Sequence, residues 1–224
     1  PVAPPSASDY FGAMVREYDS LIRRAVPLYD VLLERAAAYL PERAQRVLEL
    51  GCGTGNFTAA LDKRYTEAEM TLVDASPEML EDTRARLRPR PVEALRARFE
   101  DLALPPARFD VVTTCISLHH VRDPGPLLRH LHSALEPGGF LLVADQMAGA
   151  DERNHAINWN AMLEFWQRPG HCDPDEIAGL RAHAEDHDHY VPVLVLADAL
   201  RDAGFTAVDC VWRNWLWGIL TARR

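Results

Sequence analysis

Apolar residues recur along the chain at two periods, and the change from one to the other divides it into helices and strands. Between residues 7 and 40, Phe11, Met14, Val15, Tyr18, Leu21, Ile22 and Val26 fall at three- and four-residue steps. Leu28, Val31, Leu32, Leu33 and Ala36 continue the pattern after Pro27. A proline removes a backbone donor and crowds the preceding turn, so two helices broken at Pro27 are expected. Short apolar runs follow at 47–50, 70–73, 109–117, 140–144, 206–212 and 215–221, with a less distinct stretch at 92–99. Runs of this kind, apolar on both faces, belong to the interior of a mostly parallel sheet. Helical spacing returns between them, at 57–61, after Ser76 and Pro77, after Asp123 and Pro124, and at 194–203. Ser76 fits an N-cap with Pro77 at the first helical position. Residues 151–187 are helical but irregular, and Arg213-Asn214 is expected to join the last two strands as a hairpin. Strand alternating with helix implies an α/β fold.

Length and charge narrow this reading. The 224 residues, 48% of them hydrophobic, suffice for one α/β domain with a small appendage. The expected division is a helical lid or sheet cover over 1–40 and a main domain over 41–224, with a helical insertion at about 150–190. A formal net charge of −9 repels phosphate backbones, so general nucleic-acid binding is not expected, and the arginine-rich run 84–90 reads as a solvated helix end. Cys52, Cys115, Cys172 and Cys210 are scattered without a C-x-x-C, which fits reduced thiols in a cytoplasm. No apolar run approaches 18 residues, so no membrane partner is expected. The chain opens on Pro1, read as a processed or engineered end, and no structure is expected over 1–6. Oligomeric state is open, a homodimer included.

The chemistry gathers at Glu49-Leu50-Gly51-Cys52-Gly53-Thr54-Gly55-Asn56, where the first buried strand runs into three alternate glycines and then a helix. Glycine turns through positive φ and lets a ligand approach without meeting a Cβ, so this is a nucleotide-site candidate. A dinucleotide fingerprint needs G-x-G-x-x-G, whereas here the spacing is G-x-G-x-G and Phe57 stands where that third glycine would fall. Asp74 ends the second strand 19 residues after Gly55, the place for a carboxylate that accepts both hydroxyls of a ribose, whether of a methyl donor or of NAD. The run Glu185-Asp186-His187-Asp188-His189 has metal-ligand residue types, but a solvated charged helix end accounts for it and no metal is expected.

The string E-x-G-x-G-x-G resembles motif I of the class I S-adenosylmethionine (SAM) dependent methyltransferases. Leu118-His119-His120-Val121, a helix, then Leu135 and Pro137-Gly138-Gly139 before an apolar strand carry the resemblance over about 47–145. It implies a Rossmann-like class I methyltransferase fold, a mostly parallel seven-stranded sheet in the order 3-2-1-4-5-7-6 with helices on both faces and an N-terminal helical lid. SAM is then the cofactor, S-adenosylhomocysteine the product and a small molecule the acceptor. Glu49, Gly51, Cys52, Gly53, Gly55, Asn56, Asp74, Ala75, Met79 and Cys115 are the implied cofactor residues. Two registers compete for the adenine edge, Arg98-Phe99 and Glu100-Asp101; Phe99 and Glu100 are taken, with Phe99 equally suited to plain core. Tyr18, Trp159, Trp166 and Arg181 are the implied substrate side. His119 or His120 is the candidate general base, the alternative being a helix cap or pocket wall. No Asn/Asp-Pro-Pro-aromatic string of amino-methylating enzymes is present, nor an acidic cluster like that of catechol-type O-methyltransferases. The segment 22–30, Arg181 and the aromatic last strands also resemble, more loosely, carboxy-S-adenosylmethionine synthase, in which an arginine of the late helical region holds the extra carboxylate. A noncatalytic SAM-binding module and a nicotinamide-dependent oxidoreductase are the readings from other classes.

Overall fold

The computed structural model describes residues 15–224; Phe11, Met14 and residues 1–6 lie outside them. Helices α1 (Val15–Ala25) and α2 (Tyr29–Tyr39) flank the expected break, where Leu28 takes φ 60° in the left-handed region. The core alternates β1 (Arg46–Leu50), α3 (Asn56–Arg64), β2 (Glu69–Asp74), α4 (Pro77–Arg86), β3 (Glu93–Arg96), β4 (Phe109–Cys115), α5 (Pro124–Ala134) and β5 (Leu135–Gln146). It closes with α6 (Glu152–Trp166), α7 (Pro174–His187), α8 (Val193–Asp202), β6 (Thr206–Asn214) and β7 (Trp217–Arg223). The seven strands form one sheet in the order β3-β2-β1-β4-β5-β7-β6, as the resemblance implied. All pairings are parallel except those of β7, which runs antiparallel to both β5 and β6.

Successive side chains of a strand point to opposite faces, and the sheet is buried on both. Leu48, Leu50 and Val143 pack with Leu128 and Leu131 of α5 and Leu200 of α8. Val47, Leu72 and Leu142 pack on the other face with Leu32 and Ala36 of α2 and Phe57 and Leu61 of α3. A third cluster, Met162, Trp166 and Leu216, makes the core of a cap formed by α6 and α7. Because β1, β2 and β4 are parallel, their carboxyl ends open on one edge, at the point where strand order reverses between β1 and β4. Crevices there are where open α/β sheets take ligands.

Several boundaries differ from the sequence reading. The last hairpin turns at Trp215-Leu216 rather than Arg213-Asn214, with Trp215 at φ 51°. The reason is burial: Leu216, fully buried, completes the cap core, which outweighs the turn preference of asparagine. The third strand shrinks to four residues, and Phe99–Asp101 leave it as a single 3-10 turn. β5 begins at Leu135, ahead of the expected Phe140, because Leu135 pairs with Phe109 across a register shift. Ser76 and Asp123 cap α4 and α5, accepting from the N–H groups of Met79 and Gly125. Among the described residues, no helix is long and apolar enough to cross a membrane.

Candidate active site

The glycine turn is fixed from both sides. Gly51 and Cys52 donate their N–H groups to the Val73 carbonyl at 2.7 and 3.1 Å, binding the turn to β2. Gly51 has φ 67°, and a Cβ there would stand 2.4 Å from Ser117 Cβ, so only glycine fits. Ser117 is itself held, its hydroxyl donating to the Leu50 carbonyl at 3.0 Å. Gly53, at φ 53°, is different: an added Cβ would meet nothing within 4 Å. Its N–H donates to Asp74 Oδ2 at 2.9 Å and its carbonyl accepts from the Thr83 hydroxyl at 2.6 Å. The other Asp74 oxygen accepts from the Ser76 N–H at 2.9 Å. Burial pushes the Asp74 carboxyl up, and these N–H donors pull it back.

Over this turn lies a cavity of about 330 Å³. Its wall brings together Glu49, Gly51, Cys52, Gly53, Asn56, Asp74, Ala75, Met79, Phe99, Glu100 and Cys115, with Tyr18 and His120 from the acceptor-side candidates. Gly55 stands just behind as the N-cap of α3, at φ 87°. Both adenine registers reach the wall, since Arg98, Phe99 and Glu100 all line it. Glu49 is 1% exposed, and its Oε2 has no hydrogen-bond partner among the described residues. Burial pushes this carboxyl up to about 8; the neighbouring Thr58 hydroxyl lowers it and the Asp74 charge raises it further. An unpartnered buried carboxylate is costly unless a ligand satisfies it. The donor set therefore fits SAM: Glu49 would meet the ammonium, Asp74 the ribose diol, and the bare backbone at Gly53 would let the ligand lie close.

Helix α1 is tied across the turn by one carboxylate, that of Asp19, which the sequence reading did not assign. Asp19 Oδ1 accepts from the Thr54 hydroxyl at 2.6 Å and Asn56 Nδ2 at 2.9 Å, while Oδ2 takes Arg86 Nη2 at 2.6 Å. Those three donors hold the Asp19 carboxyl below its usual range despite partial burial. Arg86, read from sequence as part of a solvated run, thus ties α4 to α1. At its other end α1 is fastened to the cap: Arg24 grips Glu176 through two bonds of 2.7 Å, and Trp166 Nε1 donates to the Ala25 carbonyl at 2.6 Å.

Part of the cavity wall is rich in imidazole. His120 lines it together with Asp186, His187 and His189, which follow from the end of α7. His119 turns away and faces a separate pocket of about 20 Å³. Its Nδ1 lies 2.5 Å from Asp145 Oδ1, and its N–H donates to Asp145 Oδ2 at 3.1 Å. Desolvation lowers the His119 pKa, but the carboxylates of Asp145 and Asp188 outweigh it and bring it up to about 9. Burial and the neighbouring His119 charge push His120 the other way. Asp188 is not part of a solvated helix end: its side chain is 6% exposed, with Tyr190 donating to its Oδ2 at 2.6 Å. Solvation does describe Glu185 and Asp186, which are exposed.

Three expected substrate residues are placed elsewhere. Trp166 is core of the cap, Trp159 packs beside it, and Arg181 is exposed on α7; none lines the cavity. Aromatic size drew Trp166 and Trp159 inward, and helical spacing alone could not separate a cap core from a pocket wall. Ser117, Asp186, His187 and His189 are wall residues the sequence reading did not assign.

The family model described as "Methyltransferase domain" matches residues 20–209. The chain belongs to that family. This SAM-dependent methyltransferase is 29% identical over 187 residues to the ubiquinone/menaquinone biosynthesis C-methyltransferase UbiE of Pectobacterium atrosepticum, covering 81% of this chain and 74% of the relative. It is 26% identical over 221 residues to the carboxy-S-adenosyl-L-methionine synthase of Desulforapulum autotrophicum, covering 95% and 89%. A solved putative methyltransferase in complex with the Haloferax volcanii Trm112 methyltransferase activator has the same fold, with a TM-score of 0.73, 18% identity and 99% of both chains covered.

Proposed function

We propose that this methyltransferase transfers the methyl group of SAM in line to a small-molecule acceptor held in the cavity, leaving S-adenosylhomocysteine. When bound, SAM supplies a sulfonium-activated methyl, so the protein's task is alignment and exclusion of water. Glu49 and Asp74 hold the two ends of the cofactor, Met79 and Phe99 wall the adenine, and Asn56 and Gly53 close the turn. Tyr18, from the lid, and His120, from the turn after β4, face the acceptor. The observation that carries this reading is the buried Glu49 oxygen, unpartnered among the described residues, in a cavity whose wall also carries His120, His187 and His189. The scattered free cysteines support a reducing cytoplasm as its setting.

A second reading, synthesis of carboxy-SAM, is favoured by the relative that covers 95% of this chain. Arg181, the expected holder of its extra carboxylate, is exposed and outside the cavity, and Arg98 is the guanidinium at the wall. Both readings meet one test: mass spectrometry of the small molecule released by denaturing freshly purified protein. SAM or S-adenosylhomocysteine, followed by S-adenosylhomocysteine formation with acceptors in a panel, supports methyl transfer. A carboxylated SAM makes the second reading the function. Recovery of NAD overturns both, and stoichiometric SAM without turnover on any acceptor leaves a binding module.

A further inference from the structure

We propose that His119, His120, His183 and Asp188 form a binding site for a zinc-class divalent transition metal ion, which fastens the end of α7 to the turn after β4 and so builds the acceptor-side wall.

Three imidazole nitrogens converge on one carboxylate oxygen. Asp188 Oδ1 lies 3.1 Å from His120 Nδ1, 3.5 Å from His183 Nε2 and 3.7 Å from His119 Nε2. A tetrahedral ion bound at about 2.0–2.1 Å by N and O donors keeps its ligands about 3.3–3.4 Å apart, and the observed separations straddle that edge. The ligand atoms of His119, His120 and Asp188 all lie within 4.8 Å of one another, and the His183 ring meets that of His120 edge-on at a centroid distance of 5.5 Å. A single carboxylate oxygen has two lone pairs, too few to accept from three imidazoles at once. A cation at the centre would instead be reached by His119, His120 and Asp188 as they stand, and a shift of the His183 side chain, 3.5 Å from Asp188 Oδ1 but outside that 4.8 Å set, would bring in the fourth ligand. Three imidazoles and a carboxylate suit zinc or cobalt(II); magnesium and calcium take oxygen ligands.

The surroundings are those of a metal centre. Ligating histidines usually give their second nitrogen to a carboxylate, which fixes ring and tautomer. His119 does this through Nδ1 to Asp145 Oδ1 at 2.5 Å, which leaves Nε2 turned toward Asp188. The Tyr190 hydroxyl donates to Asp188 Oδ2 at 2.6 Å, leaving Oδ1 for the centre. The His119, His183 and Asp188 side chains are 7%, 8% and 6% exposed, so the site is sheltered.

Four protein ligands make a closed site, which structural zinc prefers. The ligands come from two segments distant in sequence, and residues next to Asp188 line the cavity: Asp186, His187 and His189. Holding Asp188 holds that wall. The imidazole pair offered by the sequence as a base is thereby assigned to metal binding, with His120 presenting its other edge to the acceptor.

The test uses untagged full-length protein, stripped with a chelator and reloaded with zinc or cobalt(II). One zinc per chain by elemental analysis, a Tm raised by zinc, and strong visible bands of tetrahedral cobalt(II) are expected. Asp188→Asn and His183→Gln should remove the bands. Asp145→Asn should weaken zinc about tenfold to a hundredfold without abolishing it. If these variants do not fold, the wild-type cobalt spectrum and zinc-dependent Tm decide alone. Substoichiometric zinc with no change in Tm overturns the proposal, as do cobalt bands that persist in folded Asp188→Asn. SAM titration of the same stripped protein separates this outcome from failure of the methyltransferase reading, because the cofactor side holds none of the four ligands.

Discussion

SAM binding should release a proton from Glu49. Without a ligand burial pushes its carboxyl up to about 8, from an ordinary carboxylate value near 4.5. At pH 7 about 0.9 of the molecules therefore carry the proton. An ammonium set against the unpartnered Oε2 favours the charged form, and once the bound pKa falls well below 7 about 0.9 proton leaves per SAM bound. Affinity should then rise close to tenfold per pH unit from about pH 6 to 7 and level off toward 8, with each unit of pKa equal to about 1.4 kcal/mol. Calorimetric titration in phosphate and in Tris at pH 7 reads the proton count from the difference in apparent enthalpy. Glu49→Gln should abolish that difference and weaken SAM about tenfold to a hundredfold at pH 7.5, as expected for loss of a charge-assisted bond.

Stability carries the opposite sign. A group whose folded pKa lies above its unfolded value stabilises fully below the unfolded pKa, and that contribution is lost as pH rises to the folded one. The cofactor-free protein should thus lose stability between about pH 4.5 and 8, whereas Glu49→Gln, neutral throughout, should melt with a flatter pH dependence. Equal calorimetric enthalpies in the two buffers, together with an affinity unchanged from pH 6 to 7.5, would refute the assignment of Glu49 to the ammonium.

Helix α1 and the glycine turn give further tests. Asp19→Ala removes three bonds of 2.6–2.9 Å that tie α1 to Thr54 and Asn56 at the glycine turn and to Arg86 of α4, so stability should fall by about 1–3 kcal/mol and amide exchange across α1 should accelerate. Unchanged exchange would show that α1 is held by the cap instead. Gly51→Ala and Gly53→Ala should separate folding from binding: the first drives a Cβ to within 2.4 Å of Ser117 Cβ and should lower Tm sharply, while the second meets no atom within 4 Å and should melt only slightly lower yet bind SAM poorly. Equal Tm losses for the two would refute this. Trp166→Phe removes the bond to the Ala25 carbonyl and should cost about 1–2 kcal/mol in a denaturant melt, with SAM affinity within about twofold of wild type because the indole does not line the cavity.

What the sequence made legible follows from the range of the interactions involved. β1, β2 and β4 are apolar on both faces, the glycines of the turn need positive φ, and Ser76 and Asp123 cap the helices that follow them; each signal is local, so strand, turn and helix could be read in place. Glu49 and Asp74 lie at the carboxyl ends of β1 and β2, which is why their meeting at one cavity wall could be expected from the strands themselves. The imidazole-bearing wall and the ties of α1 were not legible, because they are made by contacts between segments far apart in sequence. Asp19 meets Arg86 across 67 positions, and Trp166 meets Ala25 across 141, so nothing beside either residue announces its role. The charged run Glu185 to His189 has the composition of a solvated helix end, and its first two residues are exposed as such. Asp188 departs from that only because the chain after α7 folds back against the turn after β4, with the His189 N–H donating to the His119 carbonyl at 2.7 Å. A pattern of single residues predicts where a backbone turns; it does not predict which two turns will share a carboxylate, and the imidazole-bearing wall depends on that second kind of fact.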